Sequence, residues 1–249
     1  MSVYNGEGYL KEAIESILNQ TCGDFEFLIV NDGSTDKSLE IIQDYQRKDP
    51  RIRAIDKPNS GLTKSLNIAI REAKGEFIAR QDADDRSDRF RLEKQLAFMQ
   101  SRPDMVLVGS VAQETGNGSP RIGRFFDETE MPKALLRRNP IPHTSAFFRK
   151  EVFVRAGLYD ESFQTAQDYE AWLRLADFGK IAMLPEPLVT YRVGDKSISA
   201  KKKYRQAWSG FRARKGRVSL PDNLRATAYQ IIANTLPSWA IRLKRRWLG

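Results

Sequence analysis

Two short hydrophobic runs in the chain each end in a cluster of carboxylates. The run at 25–30 leads into Asp32, and the run at 77–79 leads into Asp82 and Asp84. If the two runs are neighbouring parallel strands, both clusters emerge at the carboxyl ends of one sheet, where open α/β sheets bind ligands. Carboxylates gathered in a cleft repel one another unless a cation joins them, and their oxygens suit Mg²⁺ or Mn²⁺. The clusters therefore predict a metal-assisted nucleotide site.

Each cluster also has a simpler interpretation. A carboxylate at the position of Asp32 can accept a hydrogen bond from N3–H of uracil or thymine, but it can equally form a turn and cap the following helix. The Asp82-Ala83-Asp84 turn can direct two carboxylates at one ion that bridges them to a diphosphate. Short acidic turns are also common on protein surfaces, so the residues alone leave both interpretations open.

The surrounding sequence alternates between amphipathic segments and short apolar runs. Strand-like runs lie at 25–30, 52–55 and 76–80, and apolar residues recur at helical spacing near 10–18, 39–45, 62–73 and 92–99. This alternation favours a parallel sheet with right-handed crossover helices. We therefore expect an α/β fold, a Rossmann-like and mostly parallel sheet flanked by helices, with a later helix near 166–177.

Composition assigns the basic character of the chain to its last fifty residues. The chain has 249 residues, a formal net charge of +9 and a single cysteine, Cys22. Residues 200–249 hold thirteen lysines and arginines against one acid, Asp222. A lone cysteine excludes an intrachain disulfide and fits a reducing cytoplasm, and no apolar run approaches the roughly 20 residues of a spanning helix. We expect one domain at 1–199 followed by a basic helical tail at 200–249.

A series of motifs, in order, resembles a known family over roughly residues 3–199. That family is the inverting family 2 glycosyltransferases of the GT-A fold, which use nucleotide sugars. The matching segments are Val3-Tyr4-Asn5-Gly6-Glu7, Ala13 to Thr21, Asn31-Asp-Gly-Ser-Thr-Asp36, Asn59-Ser-Gly-Leu62, Gly75-Glu76-Phe77-Ile78, Asp82-Ala-Asp-Asp85, Gly157 to Glu161, Asp168-Tyr169 with Trp172-Leu173-Arg174, and Tyr191-Arg192.

The resemblance implies roles on the donor side. Tyr4 and Asp32 look like residues that contact the base of a UDP- or dTDP-sugar. Asp82 and Asp84 look like the pair that holds the ribose and, through Mn²⁺ or Mg²⁺, the diphosphate. The metal ion is the expected cofactor, since it would neutralise the leaving nucleoside diphosphate.

The resemblance also implies roles on the acceptor side. Asp168 matches the catalytic base, which takes the proton of the acceptor hydroxyl as that hydroxyl attacks the anomeric carbon from the opposite face. His143, the only histidine, matches a residue on a loop beside the acceptor cleft. Without the resemblance, helix capping is the simpler interpretation of Asp168, and a structural role is the simpler one for His143.

The chain departs from the family pattern at several positions. Ser2 replaces a proline, Asn31 replaces the first acid of an Asp-Asp-Gly-Ser motif, Gln167 replaces a glutamate, and Gly194 stands where many members carry a histidine. The hydrophobic strand that should precede Tyr4 is almost wholly absent. We therefore expect an N-terminally truncated domain with two strands left unpaired, and a degenerate, non-catalytic relative is one alternative.

The predicted function is transfer of a sugar to a glycan or lipid-linked hydroxyl acceptor, in bacterial surface polysaccharide or glycolipid synthesis. Residues 235–249 interleave tryptophan, leucine and basic residues, which predicts either an interfacial helix on anionic membrane or a helix packed on the domain. A cytoplasmic enzyme, peripheral on the inner face of the plasma membrane, fits the first case.

A nucleotidyltransferase would need a glycine-rich basic phosphate loop, which is not visible. Nucleic-acid binding has no motif beyond the charge, so we expect no nucleic-acid partner.

Overall fold

The computed structural model describes residues 1–116, 120–193 and 203–235. The strands are β1 Ser2–Val3, β2 Phe27–Asp32, β3 Ile52–Lys57, β4 Phe77–Ala79, β5 Arg86–Ser87, β6 Met105–Gly116, β7 Arg121–Ile122, β8 Phe147–Arg149 and β9 Lys180–Val193. The helices are α1 Leu10–Leu18, α2 Ser38–Lys48, α3 Leu62–Glu72, α4 Arg91–Ser101, α5 Met131–Arg137, α6 Lys150–Arg155, α7 Gln167–Leu175, α8 Lys203–Arg214 and α9 Leu220–Thr235, with a 3₁₀ turn at His143–Ser145.

The first sheet is parallel, in the order β1-β2-β3. Every residue of β2 is buried, because helices cover both of its faces. Phe27 and Ile29 pack in a cluster with apolar residues of α1 and α2, whereas Leu28 and Val30 pack against Ala69 of α3. The strand alternation therefore places Asp32 on the same face as α3.

The second sheet is mixed, in the order β4-β8-β6-β9-β5, with β7 paired to β6. Its long ladder joins β6 and β9 in parallel from Met105 to Gly116, while the antiparallel ladders span only two or three residues each. Parallel pairing thus dominates the ordered ladders of both sheets, and helices flank them. The predicted α/β fold is confirmed.

The two acidic strand ends belong to different sheets. β2 lies in the first sheet and β4 in the second, so the two strands are not hydrogen-bonded neighbours. The strand expected between them is represented by Ser2 and Val3, which pair with β2 only. Ile78 of β4 instead packs against the Leu28 and Val30 cluster beneath α3. Apolar packing, rather than a shared ladder, holds the two strand ends near each other.

Helix α7 begins close to where the sequence predicts it and packs into the largest apolar cluster. Trp172 is fully buried there. Helices α8 and α9 form a hairpin, and α8 packs on α7. No helix within the described ranges is both long and apolar enough to cross a bilayer.

Gly33, directly after Asp32, sits in a tight turn that only glycine fits. Its φ is 69°, and a Cβ there would lie 2.6 Å from the backbone nitrogen of Asn59. We expect Gly33→Ala to lower the free energy of unfolding by about 2 kcal/mol or more, from strain and clash together. Urea denaturation measures the effect. Gly8→Ala is the matched control, since nothing lies within 4 Å of its added Cβ; equal stability of the two variants would contradict the turn geometry.

Candidate active site

Asp32 is 2% exposed, and its carboxylate organises the 57–61 loop. The carboxylate accepts hydrogen bonds from the backbone amides of Ser60 at 2.8 Å and Gly61 at 2.9 Å, and it forms an ion pair with Lys57. Gly61 is the N-cap residue of α3, so the negative charge also lies at the positive end of that helix. Asp32 therefore fixes the loop that begins α3.

These donors outweigh the effect of burial on the Asp32 carboxyl. Burial alone would raise its pKa, but hydrogen bonds from Lys57, Ser60 and Ser65, together with the Lys57 charge, bring the pKa below its ordinary value. Asp32 is thus ionised at neutral pH.

Tyr4 directly follows β1, the strand that pairs with β2. Val3 of β1 pairs with Asn31 of β2, and Tyr4 is 55% exposed. The adjoining Asn5 is bound to the turn after β2, because its amide donates to Ser34 and its side chain accepts from the amide of Thr35. The structure therefore brings the two predicted base-contacting residues to the same edge.

Asn31, which replaces an acid of the family motif, has a local partner. Its Nδ2 donates to Asp56 Oδ1 on β3 at 2.7 Å, and its Oδ1 accepts from the amide of Ser34 at 3.3 Å. An acid at position 31 would place two carboxylates together here, so the amide suits this pair of strands.

The second acidic cluster is built around a buried arginine. Arg80 is 4% exposed and forms an ion pair with Asp82, while its Nε and Nη1 lack a hydrogen-bond partner within the described part of the chain. Burial would raise the pKa of Asp82, but the Arg80 charge outweighs it and keeps that pKa low. Asp84 is exposed. Burial, followed by the charges of Asp82 and Asp84, raises the pKa of the third carboxyl, Asp85, to about 8.

Two further arginines hold this acidic turn in place. Arg91, fully buried, donates to the carbonyl of Arg80 at 2.7 Å and to Gln81 Oε1 at 3.1 Å. Arg192 donates through its amide to Asp85 Oδ1 at 3.0 Å and through Nε to the carbonyl of Asp84 at 2.9 Å. The turn is therefore fixed from α4 on one side and from β9 on the other.

Asp168 lies in the first turn of α7, half-buried. Ala166, the residue before the helix, has φ 56°, a left-handed conformation that is uncommon outside glycine. Asn139 Nδ2 donates to Asp168 Oδ2 at 2.7 Å. Burial raises the pKa of Asp168 to about 6, and the charge of Asp82 contributes, although hydrogen bonds from the Tyr169 amide and from Asn139 oppose the rise.

His143 and Tyr159 complete the same cluster. His143 Nε2 lies 2.9 Å from the Tyr159 hydroxyl, and its ring meets Trp172 edge-on with centroids 6.0 Å apart. Burial, and then the Arg80 charge, lowers the pKa of His143 to about 3, so the imidazole is neutral at physiological pH. A neutral imidazole can still donate or accept a hydrogen bond, so His143 can contact a substrate without carrying charge.

The predicted site residues thus form two centres. Asp82, His143 and Asp168 belong to one cluster around the 139–145 segment. The Asp82 amide donates to Thr144 Oγ1 at 3.3 Å, beside His143, and Asn139 of the same segment donates to Asp168. Tyr4 and Asp32 form the other, at the end of the first sheet. Sequence reasoning missed Asn139 and Tyr159, although the Asn-Pro-Ile-Pro loop at 139–142 is a signal of a rigid segment that could orient a partner.

The acidic turn suits a hard cation that also binds phosphate. Within the described ranges no group of three or more His, Cys, Asp or Glu side chains could hold a metal ion. Mg²⁺ commonly uses one or two carboxylates and takes its remaining ligands from water and substrate phosphates. Exposed Asp84 and half-buried Asp82 fit that donor set. Gly194, the position where many family members carry a histidine, lies outside the described residues.

Comparison with known proteins identifies the family. The profile described as "Glycosyl transferase family 2" matches residues 1–161. An uncharacterised glycosyltransferase of Haemophilus influenzae is 31% identical over 79% of this chain, and the chain spans 65% of that relative's length. The amylovoran biosynthesis glycosyltransferase AmsE of Erwinia amylovora is 28% identical over 93% of this chain and 90% of its own length.

Solved structures share the fold. S. aureus TarS (residues 1–349), in complex with UDP-GlcNAc, superposes with a TM-score of 0.70 at 20% identity, over 96% of this chain and 67% of that one. The mannosyltransferase PcManGT of Pyrobaculum calidifontis, in complex with GDP-Man and Mn²⁺, gives a TM-score of 0.70 at 20% identity, over 94% and 69% of the two chains. Both likenesses support the GT-A architecture.

The Asp32 contacts generate a stability prediction that needs no ligand. We expect Asp32→Asn to lower the free energy of unfolding at pH 7 by about 1–3 kcal/mol, because the ion pair is lost and an amide group faces buried donors. A carboxyl with a lowered pKa stabilises the fold above its unfolded pKa, and this contribution is lost as the pH falls through the folded pKa.

The difference between wild type and Asp32→Asn should therefore shrink below about pH 4. Urea denaturation at several pH values measures it, and Asp24→Asn, at an exposed position outside the site, serves as the control. A difference that is constant with pH would contradict this role of the carboxylate.

Proposed function

Because the chain belongs to glycosyl transferase family 2, we propose that it transfers a sugar from a UDP- or dTDP-sugar to a hydroxyl acceptor with inversion. The observation that carries the proposal is the cluster of Asp82, His143 and Asp168. It joins an acidic turn suited to a metal diphosphate with a carboxylate whose pKa is raised to about 6.

On the donor side, we assign the base to Tyr4 and Asp32. Exposed Tyr4 offers a ring against which a base can stack, and ionised Asp32 is an acceptor that matches N3–H of uracil or thymine. In the ligand-free protein this carboxylate already accepts from Lys57 and two backbone amides. Binding of the base therefore requires that one of these donors, most simply the Lys57 side chain, shift.

We assign Mn²⁺ or Mg²⁺ to Asp82 and Asp84. The metal supplies charge neutralisation of the leaving diphosphate. Arg80 holds Asp82 in place from the buried side and leaves its second oxygen for a ligand. This assignment draws on the negative charge of the turn and on the chemistry of carboxylate ligands.

On the acceptor side, Asp168 acts as the general base. A pKa raised towards neutrality makes a carboxylate a better proton acceptor at physiological pH, as long as the group stays mostly ionised. Asn139 orients the carboxylate, and neutral His143 positions the acceptor. The attacking hydroxyl loses its proton to Asp168 as the bond to the anomeric carbon forms and the bond to the diphosphate breaks, which inverts the configuration in one displacement.

The names of the relatives support an acceptor class. AmsE carries the name of a polysaccharide pathway, so we propose a glycan or lipid-linked acceptor in bacterial surface polysaccharide or glycolipid synthesis. We place the enzyme at the cytoplasmic face of the membrane. The membrane helix predicted for 235–249 lies, beyond Thr235, outside the described residues. The division into a domain at 1–199 and a tail at 200–249 likewise stays a prediction.

Asp168→Asn tests the assignment of the base. We expect the variant to bind UDP or dTDP with Mn²⁺ as the wild type does, measured by thermal shift, and to lose sugar transfer by about 10²–10⁴-fold. Transfer is measured as UDP or dTDP release from a nucleotide-sugar panel, with glycolipid and polysaccharide extracts as acceptors. The control is Glu151→Gln, which changes an exposed acid on α6 and should leave nucleotide binding and sugar transfer unchanged.

The outcomes separate the alternatives. Unimpaired transfer by Asp168→Asn would reject this residue as the base. A folded wild type that binds none of the nucleotides would favour the degenerate, non-catalytic relative.

The raised pKa of Asp168 predicts a pH profile. A general base works in its deprotonated form, so the transfer rate should fall as the pH drops through about 6. Asn139→Ala removes a hydrogen bond that stabilises the carboxylate and should move this acidic limb upward by roughly half a pH unit or more. Asn19→Ala, an exposed asparagine after α1, serves as the control. An unmoved limb in Asn139→Ala would show that a different group controls the rate.

A further inference from the structure

The hairpin of α8 and α9 exposes a concentration of large apolar side chains. Those with the highest exposure are Tyr204 at 69%, Trp208 at 62%, Leu220 at 63% and Leu224 at 53%. Single exposed apolar residues are ordinary on protein surfaces, but several on two helices that pack together point to an interaction site.

Their spacing puts them on one side of each helix. Tyr204 and Trp208 are four residues apart on α8, and Leu220 and Leu224 are four apart on α9, so each pair shares a helix face. Trp208 stacks on Phe211 with ring centroids 5.3 Å apart, which extends the stripe along α8.

The opposite side of α8 is committed to the domain. Ala207 and Arg214 are fully buried, and Ser209 Oγ lies 2.9 Å from Thr165 Oγ1 just before α7. Arg214 donates to Asn223 of α9 at 2.9 Å, so it joins the two helices of the hairpin. The aromatic stripe therefore faces away from the domain.

Basic residues surround the apolar stripe. The segment 203–235 contains seven lysines and arginines and one acid, Asp222. Arg205 and Lys215 are exposed, and the Arg225 side chain is 83% exposed with Asp222 at 3.7 Å. We call the exposed residues Tyr204, Arg205, Trp208, Lys215, Leu220, Leu224 and Arg225 the hairpin surface.

We propose that the hairpin surface docks the protein on an anionic lipid bilayer. Tyrosine and tryptophan favour the headgroup region, leucine enters the acyl boundary, and lysine and arginine bury their stems while their charges meet lipid phosphates. A second copy of the chain would bring two positive hairpins together, which electrostatic repulsion opposes. A nucleic acid would meet the charges and stack on the aromatic rings, but it would leave Leu220 and Leu224 in water.

Docking through this surface would orient the candidate active site. α8 packs on α7, and Arg214 Nη1 lies 3.4 Å from the hydroxyl of Tyr169, the residue after Asp168. The candidate active site would therefore be held at a fixed distance and orientation relative to the bilayer. The proposed lipid binding does not depend on the proposed sugar transfer. Only the idea that docking brings the active site to a lipid-linked acceptor rests on that function.

Vesicle flotation of the full-length protein tests the proposal. The wild type should float with vesicles that contain phosphatidylglycerol and much less with phosphatidylcholine alone. A double variant, Trp208→Ser with Leu224→Ser, should lose binding by about tenfold or more, since its apolar contacts are removed. Phe90→Ser with Ile122→Ser is the matched control, because these apolar residues are 42% and 62% exposed on other elements.

A charge variant, Arg205→Glu with Lys215→Glu, should also lose flotation, and added salt should weaken binding of the wild type. Thermal unfolding checks that each variant folds, as expected for exposed positions.

Flotation of both hairpin variants at wild-type level would overturn the proposal and place any membrane contact elsewhere in the chain. The proposal would be overturned in favour of nucleic acid if the wild type does not float but binds labelled RNA, and both hairpin variants lose that RNA binding. The proposal would be overturned in favour of self-association if the wild type does not float but forms a dimer, and the Trp208→Ser, Leu224→Ser variant is monomeric. Loss of flotation with nucleotide binding intact would support docking separately from catalysis.

Discussion

Burying carboxylates next to one another is the constraint that organises this molecule. Each acidic strand end is matched by a cation, Lys57 beside Asp32 and Arg80 beside Asp82. Arg192 adds hydrogen bonds to the Asp85 carboxyl and to the Asp84 carbonyl. Without these partners, desolvation would protonate the acids or open the turn. Burial raises the pKa of Asp85 to about 8, so the carboxylate that remains open to a cation is exposed Asp84.

The sequence predicted the elements well because their signals are local. Buried strands, amphipathic helices and the acidic ends of strands can each be identified from a few neighbouring residues, and β2, α3 and α7 lie close to their predicted positions. The sheet order was harder to predict. Two residues of β1 pair with β2 and leave β4 in another sheet, so the two acidic ends are joined by packing under α3 instead of by a ladder.

The partners of the site residues were the least predictable part. Asp168 and His143 were predicted from motifs, but their partners come from other loops: Asn139 donates to Asp168, and the Tyr159 hydroxyl lies against His143. Arg80 would ordinarily be a solvated cation at a strand end. It is buried in a segment whose amide donates to the Ala146 carbonyl and whose carbonyl accepts from Arg91 of α4, tertiary contacts that no local pattern encodes.

The Arg192 contacts have a consequence for folding kinetics. This residue, near the end of β9, reaches Glu12 in α1 across 180 positions of the chain and also fixes Asp84 and Asp85. Contacts between such distant residues form late, since a long loop must close before they contribute. The acidic turn can therefore reach its final geometry only once β9 is in place beside it. A nascent chain still lacking β9 would hold the carboxylates without the contacts that set their positions.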